Sequence, residues 1–311
     1  MEKQSIIKVW ATQFRAPFLL LAVVLVLLGL ALSMRHPTIE GFDILHAILI
    51  MVGIVSAHSS VNLFNEISDY KTGVDYVTKQ TPFSGGTKLM VNGVTKLKSV
   101  KIAAYTTLMI GLTIGIYFSV VSHWSLLFLI AIGAFTTVFY TDVLAKILLG
   151  EFSSGIALGY LVVVGTYIAM TANQSMAISE IVPLEILLLS IPAGILTMLL
   201  LLLNEFPDVE ADTKGGRYHL LIKFGWKISS VIYILGMIAT FATIIILPIL
   251  GISSYWVLLG LIPLPIAIKA CITAFLYGND MEKIVPALGQ NVLVVLGVDL
   301  LLAVGVFISA I

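Results

Sequence analysis

The chain has 311 residues, of which 59% are hydrophobic and 11% charged, and its formal net charge is zero. A mean hydropathy of +1.08, with a charged fraction about half that of soluble domains, excludes an ordinary soluble fold and indicates a polytopic membrane protein. The zero net charge by itself says nothing about partners, and no nucleic-acid partner is expected. The single Cys271 excludes an intrachain disulfide and a Cys-based zinc site, and a buried small side chain is its expected role.

The N-terminal stretch MEKQSIIKVWATQFRAPF is basic and leads directly into a long apolar run. That run is too long for the core of a cleaved signal peptide, so it reads as a retained first span. Residues 5–14 are expected to lie along the membrane interface, with Trp10 and Phe14 in the headgroup region. Nine spans are predicted, at about 16–34, 43–65, 102–121, 124–141, 152–171, 184–203, 226–250, 255–277 and 288–311. The runs are long and lack period-two alternation, which excludes a membrane β-barrel. The expected fold is an all-α bundle of nine transmembrane helices around a central cavity. It forms a single domain over residues 1–311, with motif-bearing loops near 66–100 and 205–225.

Charge orients the bundle. Lys3, Lys8 and Arg15 precede the first span, and Lys71, Lys79, Lys88, Lys96, Lys98 and Lys101 follow the second. Lys146, Lys214, Arg217, Lys223, Lys227 and Lys283 fall on the same side, and the opposite side receives only Arg35. The positive-inside rule then makes the N-terminal side cytoplasmic and leaves the C-terminus on the other side of a cell membrane.

Two acidic stretches break this basic pattern at the cytoplasmic ends of spans two and six. Leu63-Phe64-Asn65-Glu66-x-x-Asp69 matches Leu202-Leu203-Asn204-Glu205-x-x-Asp208. With Asp75, Glu210 and Asp212 they bring seven carboxylates to one side of the bundle. An ionised carboxylate in hydrocarbon costs on the order of 3 kcal/mol, so such clusters need water, cations or partners. His58, Asn62, Asn65 and Asp69 recur on one helix face. Asp208 and Asp212 share a face if their helix continues. Gly73 permits a turn that returns Asp75 toward them, and Pro207 should end or kink span six. Paired carboxylates with Asn neighbours are hard oxygen ligands suited to Mg²⁺ shared with substrate phosphates. Nearby Lys71, Lys79, Lys88, Lys214 and Arg217 complete a site for a diphosphate carrying an apolar tail. Lys269 and Asp299, deep in spans eight and nine, read as a structural ion pair, with acceptor-cavity lining as the alternative. Trp124 and Trp256 read as interfacial belt residues.

The motifs resemble those of the UbiA superfamily of intramembrane prenyltransferases, over essentially the whole chain. Asn65-Glu66-x-x-Asp69-x5-Asp75 is similar to that family's first aspartate-rich motif, in the spacing of its menaquinone-pathway branch. Asp208-x-x-x-Asp212-x-x-x-Gly216-Arg217-x-His219-Leu220 is similar to the second, with His219 where Thr is common. Arg15-x-Pro17, Thr81 to Gly86, Tyr140-Thr141 and Gly150-Glu151 also match. The resemblance implies Mg²⁺-dependent transfer from a polyprenyl diphosphate to a small aromatic acceptor, with 1,4-dihydroxy-2-naphthoate favoured by the motif spacing.

It further implies that Asp69, Asp75, Asp208 and Asp212 are catalytic, with Asn65, Glu66 and Asn204 completing the metal ligands. Lys79 and Arg217, with Arg15 and Lys71, would contact the diphosphate. His58, Asn62 and Tyr140 would line the acceptor and prenyl cavity, though His58 and Tyr140 equally suit structural roles. Other acceptors remain open: a 4-hydroxybenzoate-like ring, a phenazine-type ring or a glycerol-phosphate lipid. An intramembrane terpene cyclase and a cation-coupled transporter are the rival functions.

Overall fold

The computed structural model describes residues 5–36, 42–78, 80–81 and 84–311. Helix α1 (Ile6–Gln13) starts at Ser5, whose side chain accepts from the Lys8 N–H at 3.3 Å. Ile6 and Ile7 project outward from it, as an interfacial helix requires. A tight turn at Ala16–Phe18 leads into α2 (Leu19–Ser33), the most buried of the early spans.

The next span, α3 (Ile44–Thr72), begins at Asp43, which accepts from the His46 N–H at 3.0 Å, and ends at Gly73 with φ 82°. It therefore extends seven residues beyond the predicted span. The first acidic motif lies on its last turns, and the loop begins only after Thr72. Asp75 sits in the short α4 (Val74–Val77).

Helices α5 (Leu97–Val121) and α6 (Leu126–Phe139) follow. The fifth span combines α7 (Gly150–Ser154), a widened π-helical turn at Gly155–Tyr160 and α8 (Leu161–Thr171). The sixth is α9 (Leu184–Leu189) followed by α10 (Ile191–Asn204). A 3₁₀ turn at Phe206–Asp208, containing Pro207, re-aims the chain into α11 (Val209–Lys214). Helix α12 (Leu220–Ile249) bends at Gly225, whose φ of 74° is non-helical. A 3₁₀ segment at Tyr255–Leu261 leads to α13 (Leu264–Tyr277), and α14 (Met281–Ile308) closes the chain. Among the described residues, eight helical segments are long and apolar enough to cross a membrane, and α6, at 14 residues, is a shorter ninth.

Chain neighbours pack in sequence from α2 round to α14, and α14 returns to α2, which closes the ring. Leu25, Leu28, Leu196, Leu199, Val294 and Val298 are fully buried where α2, α10 and α14 meet. The outer faces of α5, α6 and α12 carry exposed Ile, Phe and Leu, as a lipid-facing surface should. Trp124 and Trp256 are exposed.

The large cavity is lined by α2, α3, α5, α6, α7–α8 and α10, while α13 and α14 stand behind it. One expectation needs correction. Lys269 and Asp299 form no ion pair. Lys269 points to the exterior, whereas Asp299 is fully buried with neither oxygen hydrogen-bonded. Both residues lie on helices that do not line the cavity, so neither reading of the pair holds.

Candidate active site

The end of α3 faces the start of α11 across the mouth of the cavity. Asp69, Asp75, Asn204, Asp208, Asp212 and Arg217 all line it. The two motifs meet through one guanidinium. Arg217 donates to Asp69 Oδ1, to Asn65 Oδ1 at 2.9 Å and to Asp212 Oδ1 at 2.6 Å. Asn65 Oδ1 also accepts from Thr141 at 3.2 Å. Burial opposes charge on Arg217, but Asp69 and Asp212 outweigh it and raise its pKa.

Other oxygens at the mouth are unsatisfied. Both Asp75 oxygens, Asp208 Oδ1 and Asn204 Oδ1 are buried without a hydrogen-bond partner. Burial, with Glu66 and Asp69 close by, pushes the Asp75 carboxyl up to about 7. Orphaned hard oxygens on both motifs are what a Mg²⁺ ion accepts. The returning loop approaches them closely. A Cβ on Gly86 would lie 2.3 Å from Asp75 Oδ1, and its φ is +66°.

The expected site residues divide into three groups. His58, Asn62 and Tyr140 line the cavity as anticipated. Asn62 Nδ2 donates to the Phe14 carbonyl at 3.0 Å, and His58 Nδ1 has no partner. Arg15 also lines the cavity, but its guanidinium is held by Glu66 at 2.5–2.8 Å.

Glu66 itself is turned away from the cavity and fully buried. It accepts from Arg15, from the Thr87 N–H at 3.0 Å, from the Thr87 hydroxyl at 2.5 Å and from Gln13 at 3.4 Å. Its acceptor capacity is taken, so it ties α1, α3 and the 84–95 loop together and is not an available metal ligand. Lys71 is exposed and does not line the cavity. Lys79 lies outside the described residues.

A second polar cluster was not anticipated. Glu151 on α7, Glu205 at the end of α10 and His219 at the start of α12 converge beside Asp212. Each occupies a helix end on the same face of the bundle. The sequence singled out each of the three within a motif, Glu151 after Gly150, Glu205 after Asn204 and His219 after Arg217, but gave no sign that they meet.

Away from the charged mouth the cavity is apolar. Along α3 it is lined from Asp69 to Ile50, a rise of about 28 Å, close to the ~30 Å hydrocarbon core of a bilayer. Gly53, Gly111, Gly115 and Gly133 keep its walls low.

Comparison with known proteins accords with this geometry. The chain is 26% identical to 1,4-dihydroxy-2-naphthoate octaprenyltransferase of Bacillus subtilis (strain 168) over 287 residues, 91% of this chain and 87% of that protein. It is 27% identical to UbiA prenyltransferase domain-containing protein 1 of Dictyostelium discoideum over 257 residues, 79% of this chain and 73% of that protein. In fold it resembles a UbiA homolog from Aeropyrum pernix K1, with a TM-score of 0.69 at 17% identity, covering 95% of this chain and 98% of that one. It also resembles a UbiA homolog from Archaeoglobus fulgidus bound to DMAPP and Mg²⁺, with a TM-score of 0.55 at 15% identity, covering 95% and 99%. The profile of the UbiA prenyltransferase family matches residues 22–285, and the chain, a multi-pass membrane prenyltransferase and not a transporter, belongs to that family.

Proposed function

We propose that the protein transfers a prenyl group from a polyprenyl diphosphate to 1,4-dihydroxy-2-naphthoate, a step of menaquinone synthesis, at a Mg²⁺-dependent site on the cytoplasmic rim. The carrying observation is the meeting of the two acidic motifs, joined by Arg217, at the mouth of a long apolar cavity. The Bacillus subtilis relative supports the acceptor, as does the motif spacing. The basic residues flanking both motifs support the cytoplasmic placement, with the C-terminus opposite.

Asp69, Asp75, Asp208, Asp212 and Asn204 would hold the Mg²⁺, and the orphaned oxygens of Asp75, Asp208 and Asn204 fit it. When bound, the ion neutralises charge growing on the diphosphate leaving group. Arg217, held between the two motifs at the cavity mouth, would add fixed positive charge beside that diphosphate. The cavity walls exclude water from the allylic carbon as its bond to oxygen breaks, so the acceptor ring attacks in place of water. Tyr140, which lines the cavity near Arg217, would face the reacting carbon or the acceptor ring.

The test is a radiolabelled prenyl-diphosphate assay against a panel of acceptors, with and without Mg²⁺. Naphthoate prenylation that vanishes on chelation is expected. Asp69→Asn or Asp208→Asn should lower turnover at least a hundredfold while the protein elutes and melts as the wild type does. Prenylation of a different ring would replace the acceptor, cyclised hydrocarbon formed without any acceptor would replace the reaction, and wild-type rates in both variants would remove the site.

A further inference from the structure

The Glu151, Glu205 and His219 cluster adjoins the carboxylates at the cavity mouth, which Glu205 and His219 also line, but it has no role in the reaction as described. Their three candidate ligand atoms all lie within 4.8 Å of one another. Glu151 is 0% exposed, Glu205 8% and His219 2%. Glu151 Oε1 accepts from the Leu220 N–H at 2.7 Å, but its Oε2 has no partner. Glu205 Oε2 and both His219 ring nitrogens make no hydrogen bond either. Arg217 is committed to Asp69, Asn65 and Asp212. Two buried carboxylates and an imidazole thus offer unpaired ligand atoms to a single cation.

We propose that Glu151, Glu205 and His219 form a binding site for a divalent transition-metal ion of the Zn²⁺ class, separate from the Mg²⁺ that travels with the diphosphate. One imidazole and two carboxylates favour Zn²⁺, Mn²⁺ or Co²⁺ over Mg²⁺, which prefers oxygen and water alone. Three protein ligands leave a fourth position for water or substrate, a common arrangement for zinc.

The surroundings are those of a held ligand set. His219 Nδ1 lies 3.3 Å from Glu205 Oε2, and Nε2 lies 3.3 Å from Asp212 Oδ2. Asp212 thus stands where it would accept the Nε2–H and leave the Nδ1 lone pair for the ion, the carboxylate–histidine–metal relay of many metal sites. The Leu220 N–H, at the start of α12, orients Glu151. An ion here would fasten α7 and the end of α10 to the start of α12. It would thereby fix the 208–219 segment that carries Asp208, Asp212 and Arg217. Binding also supplies the positive charge the two glutamates lack.

The experiment is Co²⁺ addition to the purified, metal-stripped full chain in detergent, read by visible absorption, with metal content by mass spectrometry. It is run on the wild type and on an Asp69→Asn, Asp208→Asn double variant, which weakens the diphosphate site. The double variant is expected to bind one equivalent of Co²⁺ and the wild type at least one, and both should develop ligand-field bands that a large excess of Mg²⁺ does not remove. His219→Thr and Glu151→Gln should weaken binding at least tenfold. A wild-type protein that develops no bands overturns the proposal and leaves a carboxyl–carboxylate pair sharing a proton. Bands displaced by Mg²⁺, or unchanged in a folded His219→Thr, overturn it as well. Should both single variants fail to fold, the wild-type and double-variant spectra decide.

Discussion

Gly86 lies so close to the Asp75 carboxylate that the loop leaves no room for a side chain there. Gly73, with φ 82°, turns the chain so that the buried Asp75 carboxylate meets the returning loop. The loop can approach because Gly86 has no side chain: a Cβ there would lie 2.3 Å from Asp75 Oδ1, on a backbone with φ +66°. Gly86→Ala is therefore expected to displace Asp75 and lower prenyl transfer at least tenfold, with the apparent Mg²⁺ requirement raised in the same assay. Activity equal to wild type would show that Asp75 needs no fixed place. Lys71→Ala should leave turnover unchanged, because that side chain points away from the cavity. The gathering of Asp69, Asp208 and Asp212 at one mouth was legible in the sequence because repeated acids in an apolar chain demand compensation. The placement of Glu66 was not. A motif gives residue type and spacing, but the partners that occupy Glu66 come from Gln13, Arg15 and Thr87, which carry no acid pattern.

At the scale of elements, that same Glu66 joins three pieces of chain. It binds the end of α1, anchors the last turns of α3 and receives the Thr87 backbone. Glu66→Gln keeps the shape but leaves Arg15 without its counter-charge. Losing one partner of a largely buried ion pair costs on the order of 3 kcal/mol. The expected result is a lower melting temperature with the cavity carboxylates intact. An unchanged melting temperature would mean the network is loose in solution. Helix existence was largely legible: apolar runs of the right length predicted every span, and the bend at Gly225 falls one residue before the predicted start of span seven. Helix ends were less so. Span two continues to Thr72 because polar residues at the rim still complete helical hydrogen bonds, which hydropathy does not register. The side-chain directions of Lys269 and Asp299 depended on how α13 and α14 rotate, which charge alone does not set.

Across the whole molecule, the cavity follows α3 for about 28 Å, nearly the depth of the hydrocarbon core, which suits a long polyprenyl tail. Gly133 lines it, and a Cβ added there meets nothing within 4 Å. Gly133→Phe should therefore project into the tail space and shift preference toward shorter diphosphates. The measurement is kcat/KM over a series of chain lengths, and an unchanged preference would place the tail elsewhere. The choice of spans that line this chamber has a further consequence. Six spans surround it, while α14 packs behind them against α2 and α10, and α13 packs against α14 and α12. Recognition and rigidity are thereby assigned to opposite flanks. Substitutions on the front flank alter which tails and rings are accepted, and those on the rear flank alter how firmly the barrel of helices stands. A lineage could remodel its chemistry on one flank while its mechanical backing stays untouched.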